Sequence, residues 1–303
     1  MILPSVNKNV LILHLTVLVW GFTGILGELI SVSALHLVWY RVVIAALSLF
    51  IYFIIIGKSV QVTKQKLIQI VLVGGIVGLH WVLFFYAIKI STVSVTLVTL
   101  SATTLFTSIL EPIINRKKIA KTDVGVGLII LFGIYLIFKF EFQYVWGIVS
   151  GLSCALFASI FSILNARMVK HTSPTIITFY EMLGAFLCVS LIMLATGKFD
   201  ENMWLIGMDW VYLLLLGVVC TAVAYVLGVA VMKELSAFTV ALTTNMEPVY
   251  GIILAILVFG NKETMSTGFY VGAVIVLGAV FLYPYIKTKL ENKERSLINR
   301  KLH

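Results

Sequence analysis

Apolar runs about as long as a membrane-spanning helix recur along the chain and restrict its fold more than any other feature. There are ten of them: Val10–Ile30, Leu35–Gly57, Leu67–Ile90, Thr92–Ile114, Thr122–Phe138, Tyr144–Leu164, Thr175–Thr196, Trp210–Met232, Ala237–Phe259 and Gly268–Ile286. Most approach the ~20 residues that a helix needs to cross roughly 30 Å of hydrocarbon. They are continuous rather than alternating, which argues against membrane strands. The sequence therefore predicts an all-α membrane protein, with residues 1–303 as one integral membrane domain of ten transmembrane helices.

The composition excludes a soluble globular domain, because 61% of the residues are hydrophobic and only 12% are charged. The three cysteines, Cys154, Cys188 and Cys220, all lie in apolar runs without the spacing of metal ligands. We therefore expect no metal and no cofactor. The partners expected are a small-molecule substrate and the lipid bilayer, and both a monomer and a homodimer remain open.

The distribution of Lys and Arg predicts the orientation in the membrane. With a cytoplasmic N-terminus, seventeen of the 22 basic residues face the cytoplasm, and only Lys89, Lys139, Lys198 and Lys262 face the other side. Because cytoplasmic loops carry an excess of Lys and Arg, we expect both termini in the cytoplasm and the protein in a bacterial inner membrane. The net charge of +9 is thus a topology signal rather than a sign of nucleic-acid binding. Residues 287–303 form a basic cytoplasmic tail that either touches anionic lipid or is a frayed, solvated end.

An internal repeat relates the two halves at a constant offset of 145 residues. The matches include polar and glycine positions: Ser91/Ser236, Val95/Val240, Leu97/Leu242, Thr99/Thr244, Lys117/Lys262, Thr122/Thr267, Gly127/Gly272 and Gly133/Gly278. Each half would hold five spans, an odd number, so the two halves must be inverted in the membrane. The units are residues 10–138 and 144–286, joined near Lys139–Gln143. Inverted repeats around a midplane site are a common plan of transporters.

These features resemble the drug/metabolite transporter superfamily, and within it an EamA-type exporter. The residues that carry the resemblance are Trp20-Gly21 in the first run, Pro248 in the ninth, and Gly268, Gly272 and Gly278 in the tenth. The resemblance covers Val10 to Ile286. It implies two EamA-like repeats and transport of a small metabolite, often outward.

The chain departs from the family pattern at two places. Thr103 stands where the counterpart of Pro248 is expected, and the proline of the first half follows later, as Pro112. The glycine–glutamate pair after the ninth span is reduced to Gly260-Asn261, with Glu263 displaced. We therefore expect a helix break in the ninth span alone, and a site with unlike walls.

The centre of the ninth run, Thr243–Pro248, is the strongest candidate for a binding site. Pro248 has no N–H, so the carbonyl of Thr244 loses its helical partner and the helix gains a hinge. Glu247 would therefore lie near the midplane beside an amide, Asn245, and a freed carbonyl. A carboxylate at that depth should face protein or water.

Charged residues in two other spans extend the candidate site. Arg41, after Tyr40, offers a planar fork for a carboxylate, or it forms an ion pair with Glu28. Glu181, after Tyr180, occupies the related place in the seventh span. Like Glu247, it would hold a substrate ammonium group, carry a proton, or be tied up by interhelical hydrogen bonds.

Further polar residues are candidates for the pocket wall. Thr99 and Thr103 share a helix face and would lie opposite Thr244 and Glu247. In the third span, His80 and Trp81 suit either a proton relay and a pocket wall or ordinary helix packing. Glu111-Pro112 is interpreted as an interfacial ion pair with the neighbouring Arg116, Lys117 and Lys118.

These residues favour a secondary transporter that works by alternating access and is not an enzyme. An arginine, two glutamates and aromatic rings suit the binding of an amino acid or a related amphipathic metabolite. We expect export of this substrate, and a proton gradient is one option for the driving force. One alternative is an intramembrane serine hydrolase at Ser153, although no histidine or lysine base lies inside a later span. The other is a packing or sensor protein without transport, which rarely needs several membrane carboxylates.

The orientation predicts the behaviour of a fusion at the C-terminus. Green fluorescent protein matures in the bacterial cytoplasm but not after export through the general secretory route. A full-length fusion should therefore fluoresce, whereas a fusion truncated after Lys198, in a predicted outer loop, should be dark. A bright fusion at Lys198 and a dark full-length fusion would reverse the orientation.

Overall fold

A computed structural model describes residues 8–116, 119 and 121–301, and the regular structure within these ranges is helical. The helices are α1 (Lys8–Leu29), α2 (Ala34–Ile56), α3 (Lys64–Ile90), α4 (Val93–Leu100), α5 (Thr103–Ile114), α6 (Lys121–Phe140), α7 (Val145–Met168), α8 (Pro174–Ala195), α9 (Asp209–Leu214), α10 (Ala224–Val231), α11 (Ala237–Thr244), α12 (Met246–Phe259) and α13 (Thr267–Lys301). A π-helix, Leu215–Val223, joins α9 to α10. Short 3₁₀ turns occupy Phe142–Tyr144, Glu201–Met203 and Gly260–Glu263.

The predicted all-helical membrane class is confirmed. Within the described ranges, eight helical stretches are long and apolar enough to span a bilayer: Lys8–Leu29, Ala34–Ile56, Lys64–Ile90, Val93–Ile114, Phe142–Met168, Pro174–Ala195, Asp209–Val231 and Ala237–Glu263. Two shorter apolar helices, Gly125–Phe140 and Thr267–Tyr283, correspond to the fifth and tenth runs.

Two predicted features, the basic tail and the lysines after the fourth run, lie at or beyond the limits of the described residues. Helix α13 continues through the basic tail to Lys301, so the tail is helical rather than frayed up to that residue. Lys117 and Lys118, which entered the repeat and the orientation, lie outside the described residues, as do residues 1–7, Leu302 and His303.

Close backbone packing between α3 and α8 holds the centre of the bundle together. A methyl group on Gly74 would overlap the backbone of Glu181, and one on Gly184 would overlap the carbonyl of Val71. Each helix thus presents a glycine to the backbone of the other. In lipid, small residues at helix interfaces stabilise association because they permit this close van der Waals contact.

The fourth span is interrupted without a proline, so the prediction of a break in the ninth span alone was wrong. Helix α4 ends at Leu100 and α5 begins at Thr103. Across the gap, the amide of Ala102 donates to the carbonyl of Thr99 at 3.1 Å, three residues back. The hydroxyl of Thr103 donates to the Leu100 carbonyl at 2.7 Å. Hydroxyl side chains thus bond the local backbone and replace the regular helical ladder.

The break in the ninth span lies at Asn245, between α11 and α12. The side-chain Nδ2 of Asn245 donates to the Ala241 carbonyl at 2.8 Å and to the Thr104 hydroxyl at 2.6 Å. Pro248 lies in the first turn of α12, where its missing N–H leaves no hydrogen bond unmade. The two interruptions therefore lie within about two residues of each other when the chain is compared with itself at the offset of 145 residues.

The N-terminus of each interrupted span is capped by a carboxylate that belongs to the other interrupted span. Glu263, just after α12, accepts hydrogen bonds from the amides of Val93 and Ser94, both at 2.9 Å. Glu111, near the end of α5, accepts one from the amide of Phe238 at 3.1 Å. Negative groups at a helix N-terminus satisfy free amides and oppose the positive end of the helix dipole. Glu111 therefore caps α11. The sequence indicated an ion pair with the nearby basic residues and did not predict this role.

The α3–α8 contact predicts different effects of the same substitution at two adjacent glycines. Gly74→Ala should lower the melting temperature of the purified protein, since overpacking costs about 1–3 kcal/mol. Gly75→Ala is the matched control, because a methyl group there would lie 3.8 Å from Cys188 Cβ, an ordinary contact. Equal melting temperatures for the two variants in thermal unfolding would contradict the packing.

Candidate functional site

A cavity lies among α1, α2, α3, α7 and α10 and the two interrupted spans. The space between these helices, counted together with its open mouth, is about 910 Å³. Its lining is mostly apolar and aromatic: Trp20, Thr23, Arg41, His80, Trp81, Phe84, Leu100, Ser101, Thr103, Ala158, Phe161, Ser162, Asn165, Tyr225, Gly228, Val229, Met232, Val240, Ala241, Thr244, Asn245, Glu247 and Pro248.

The cavity extends from the middle of the bundle toward one face. Its lining includes Asn165 in the last turn of α7, Val229 and Met232 at the end of α10, and Val240 and Ala241 in the middle of α11. These segments lie on the side of the loop between α10 and α11, which carries Lys233. At the deep end are Arg41 and the α3 residues His80, Trp81 and Phe84.

Arg41 is buried at the deep end of the cavity and has unused hydrogen-bonding capacity. Its Nε donates to the Thr221 hydroxyl at 2.6 Å, and its guanidinium carbon lies 4.1 Å from the centroid of the Trp81 ring. Among the described residues, its Nη1 has no hydrogen-bond partner, and no carboxylate lies within 4 Å of the guanidinium. The alternative ion pair with Glu28 therefore does not form. A guanidinium held over an aromatic face with a free N–H is suited to binding an anion.

The π-helix explains how Arg41 is held. The Thr221 hydroxyl donates to the carbonyl of Leu216, five residues back, at 2.6 Å, which leaves its oxygen free to accept from Arg41. Gly217, in the same segment, lets α2 approach, since a methyl group there would lie 2.6 Å from Ile44 Cγ2. π-Helical turns are frequent at functional sites. No sequence signal predicted this one.

Glu247 is the carboxylate of the cavity wall. It is 5% exposed, and no described cation lies within 4 Å of it. Arg41 is nonetheless near enough to interact with it electrostatically. The cavity therefore presents a positive and a negative group at separate points.

Aromatic rings form the wall near these charges. The rings of Trp81 and Tyr225 have centroids 5.7 Å apart in an edge-to-face arrangement. His80 lies 5.1 Å from Phe161, centroid to centroid, and its Nδ1 is 3.0 Å from the carbonyl of Cys154. His80 thus lines the cavity and is also bonded to a neighbouring helix. The second contact is the one expected if His80 serves ordinary helix packing.

Eight of the twelve residues predicted for the site line the cavity, and four do not. The lining includes Arg41, His80, Trp81, Thr103, Thr244, Asn245, Glu247 and the hinge Pro248. Thr99 lies outside it, with its hydroxyl bonded to the carbonyls of Val95 and Thr96. Tyr40 and Tyr180 donate to loop carbonyls, of Met203 at 3.1 Å and Val60 at 2.9 Å. Glu181 is fully buried behind the wall.

The sequence reasoning missed several lining residues. Trp20 was noted only as part of the family pattern, and Phe161, Ser162 and Tyr225 gave no signal because similar residues occur throughout the spans. Asn165 gave no signal either, because the sixth apolar run ends at Leu164 and only the structure shows that α7 continues past it to Met168.

The serine of the alternative enzyme lies away from this cavity. The hydroxyl of Ser153 donates to the carbonyl of Val149 at 2.9 Å, and Ser153 is absent from the lining. Its hydrogen bond is an ordinary one within its own helix.

The chain matches the model of the EamA-like transporter family over residues 7–139 and 145–284. It belongs to this family. The matches cover most of the chain, and the resemblance to EamA-type members of the drug/metabolite transporter superfamily is thereby confirmed. The protein is an integral, multi-pass membrane transporter.

Three proteins named as uncharacterized transporters are similar to this chain. One from Archaeoglobus fulgidus is 30% identical over 156 residues, about half the length of each protein. YxxF of Bacillus subtilis is 22% identical over 92% of this chain and 90% of its own length. YetK of the same organism is 24% identical over 80% of this chain and 76% of its own.

A solved structure shares the fold. It covers 93% of this chain and 99% of its own, with a TM-score of 0.68 and 15% sequence identity. At this identity the likeness shows the fold alone.

The lining predicts unequal thiol reactivity at two serines one turn apart on α7. In a protein with all three native cysteines replaced by alanine, Ser162→Cys should react with a water-soluble methanethiosulfonate reagent, because Ser162 faces the cavity. Ser159→Cys should stay unmodified, because Ser159 is fully buried and accepts from Thr107. Mass spectrometry measures the labelling, and equal modification at both positions would contradict the cavity's outline.

Proposed function

We propose that the protein is a secondary transporter that exports an amino acid or a related amphipathic zwitterion by alternating access. One observation carries this proposal: within the described part of the chain, one apolar cavity holds both a guanidinium with an unused N–H and a separate carboxylate that has no cation within 4 Å. Arg41 supplies the first and Glu247 the second.

The substrate class follows from the chemistry of these groups. The Arg41 fork binds the substrate carboxylate, which supplies the acceptor that Nη1 lacks. The Glu247 carboxylate binds the ammonium group. Trp20, Trp81 and Phe161 surround the apolar side chain. A substrate that carries both charges thus satisfies both buried groups of the cavity, whereas a singly charged molecule leaves one unpaired.

An architecture of ten spans in two inverted repeats is part of the proposal. The hydroxyl of Tyr40, on α2, bonds the loop between α8 and α9, and that of Tyr180, on α8, bonds the loop between α2 and α3. Exchange of the two halves turns the first contact into the second. The reciprocal caps of α4 and α11 have the same relation, since Val93 and Phe238 are separated by 145 residues. The family model also matches two units.

Alternating access gives this symmetry a purpose. The cavity extends toward the face that the Lys and Arg distribution assigns to the cytoplasm, so substrate enters from that side. At the opposite face, Glu263 connects the ninth span to the start of α4. Exchange of the two arrangements would open the cavity outward. We propose a proton gradient as the driving force, because membrane carboxyl groups commonly relay protons.

Counterflow in proteoliposomes tests the two binding groups. Vesicles preloaded with each of the common amino acids are diluted into the radiolabelled form, and the one with the fastest exchange is kept as the probe. Glu247→Gln and Arg41→Ala should each reduce exchange at least about tenfold, because a lost hydrogen bond to a charged group costs about 1.5–3 kcal/mol. The matched controls Glu201→Gln and Arg167→Ala change exposed residues outside the cavity lining and should exchange normally.

Two outcomes would contradict the proposal. Wild-type exchange in both site variants would exclude Arg41 and Glu247 from the binding site. An absence of exchange with every amino acid, in protein that is folded by gel filtration, would exclude the substrate class.

A further inference from the structure

Glu181 occupies a second polar site, separated from the cavity by one layer of side chains. It lies on α8, is fully buried and is not part of the cavity lining. Its backbone contacts Gly74 of α3, and its Oε2 is 3.5 Å from the Asn165 amide nitrogen of α7. The same amide donates to the Tyr225 hydroxyl of α10 at 3.0 Å.

The hydrogen bonding around Glu181 is incomplete in a specific way. Among the described residues, its Oε1, the Asn165 Oδ1 and the Thr178 hydroxyl, on the preceding turn of α8, are buried without a hydrogen-bond partner, although the Tyr225 hydroxyl interacts with the carboxyl group. The Asn165 Oδ1 and an ionised Glu181 Oε1 can only accept hydrogen bonds, and neither has a donor among these residues. One proton on the Glu181 carboxyl would turn an acceptor into a donor and remove part of this deficit.

The charged and titratable groups around Glu181 favour a proton rather than a fixed ion pair. Glu181 faces the neutral amide of Asn165 from α7, the phenol of Tyr225 from α10 and the backbone of Gly74 from α3. Among the described residues, no Lys, Arg or His lies within 4 Å of its carboxylate. Arg41 of α2 acts on Tyr225 rather than directly on Glu181. A buried carboxylate without a cation is costly, and the neutral acid is much less so.

A polar route connects this site to the cavity. Asn165 and Tyr225 contact Glu181 on one side and line the cavity on the other. Tyr225 also interacts with both Arg41 and Glu181. The Tyr225 hydroxyl thus lies where it can relay a proton between the cavity and Glu181, and it is also the group through which the charge of Arg41 acts on the acid.

We propose that Glu181 is the proton-carrying group of the transport cycle, distinct from the substrate site at Arg41 and Glu247. This inference rests on the proposed function. The carboxylate takes a proton from water when the cavity is open to one face and returns it to water when the cavity is open to the other. Of the three roles that the sequence left open for Glu181, binding a substrate ammonium group, carrying a proton or bonding neighbouring helices, this proposal assigns the second.

Two transport modes separate coupling from binding. Counterflow at equal pH on both sides requires substrate binding and the change of access but no net proton movement. Accumulation driven by a pH step across the vesicle membrane requires a proton site as well. The probe is labelled leucine, or the amino acid that exchanges faster in the counterflow panel.

Glu181→Gln should keep counterflow within about twofold of the wild type and lose the response to the pH step. Glu247→Gln should lose both modes, and the control Glu201→Gln should keep both. Glu181→Asp retains a titratable acid and should keep a pH-driven response, so it serves if the glutamine variant does not fold. Infrared difference spectra across a pH titration give an independent readout, because the band of a protonated carboxylic acid should be present in wild type and diminished in Glu181→Gln.

Four results would overturn this inference. They are a normal pH response in Glu181→Gln, loss of counterflow in folded Glu181→Gln, accumulation driven by a sodium gradient instead of a pH step, and wild-type counterflow without any pH response. The last result would leave the proposed substrate site intact. A lack of counterflow in the wild type would instead contradict the proposed function itself.

Discussion

Arg41 carries a positive charge inside an apolar helical bundle, with no carboxylate of a described residue within 4 Å, and much of the centre of the molecule is arranged around it. A charge at the middle of a membrane helix costs about 2.5–3.5 kcal/mol on insertion scales. Thr221 offsets part of this cost through the oxygen that the π-helix frees, and the face of Trp81 offsets another part. Among the described residues, the Arg41 Nη1 has no hydrogen-bond partner, and we assign this group to the substrate.

Much of the fold could be predicted from the sequence, because a bilayer leaves few choices. Continuous apolar runs must be helices there, since every backbone group needs an internal partner. The interruption between α4 and α5 could not be predicted from a proline rule. It arises from Thr103, whose hydroxyl bonds the Leu100 carbonyl, and a sequence rich in hydroxyls does not tell which of them will do so. The π-helix at Thr221 could not be predicted either, because its extra residue is fixed by contacts with α2 and not by its own sequence.

The candidate site was predictable where a residue type is costly in a membrane. Arg41, Glu247 and Asn245 all line the cavity, since polar groups in apolar runs must face protein or water. Tyr40 and Tyr180 were predicted to line the site only because they precede Arg41 and Glu181 in the sequence. Their hydroxyls instead donate to carbonyls of distant loops. Ser162 and Phe161 were missed, because their side chains are ordinary and only the packing of α7 brings them to the cavity. Glu263, displaced from the family's position, still reaches the amides at the start of α4.

The central claim is that one cavity recognises both charges of a zwitterion. Isothermal titration of the purified protein with leucine, leucinamide and 4-methylpentanoate tests it most directly, because the last two each lack one charge and keep the apolar side chain. We expect leucine to bind at least about tenfold more tightly than either analogue, since each analogue leaves one buried charged group without a partner. Equal affinities for the three compounds would contradict it.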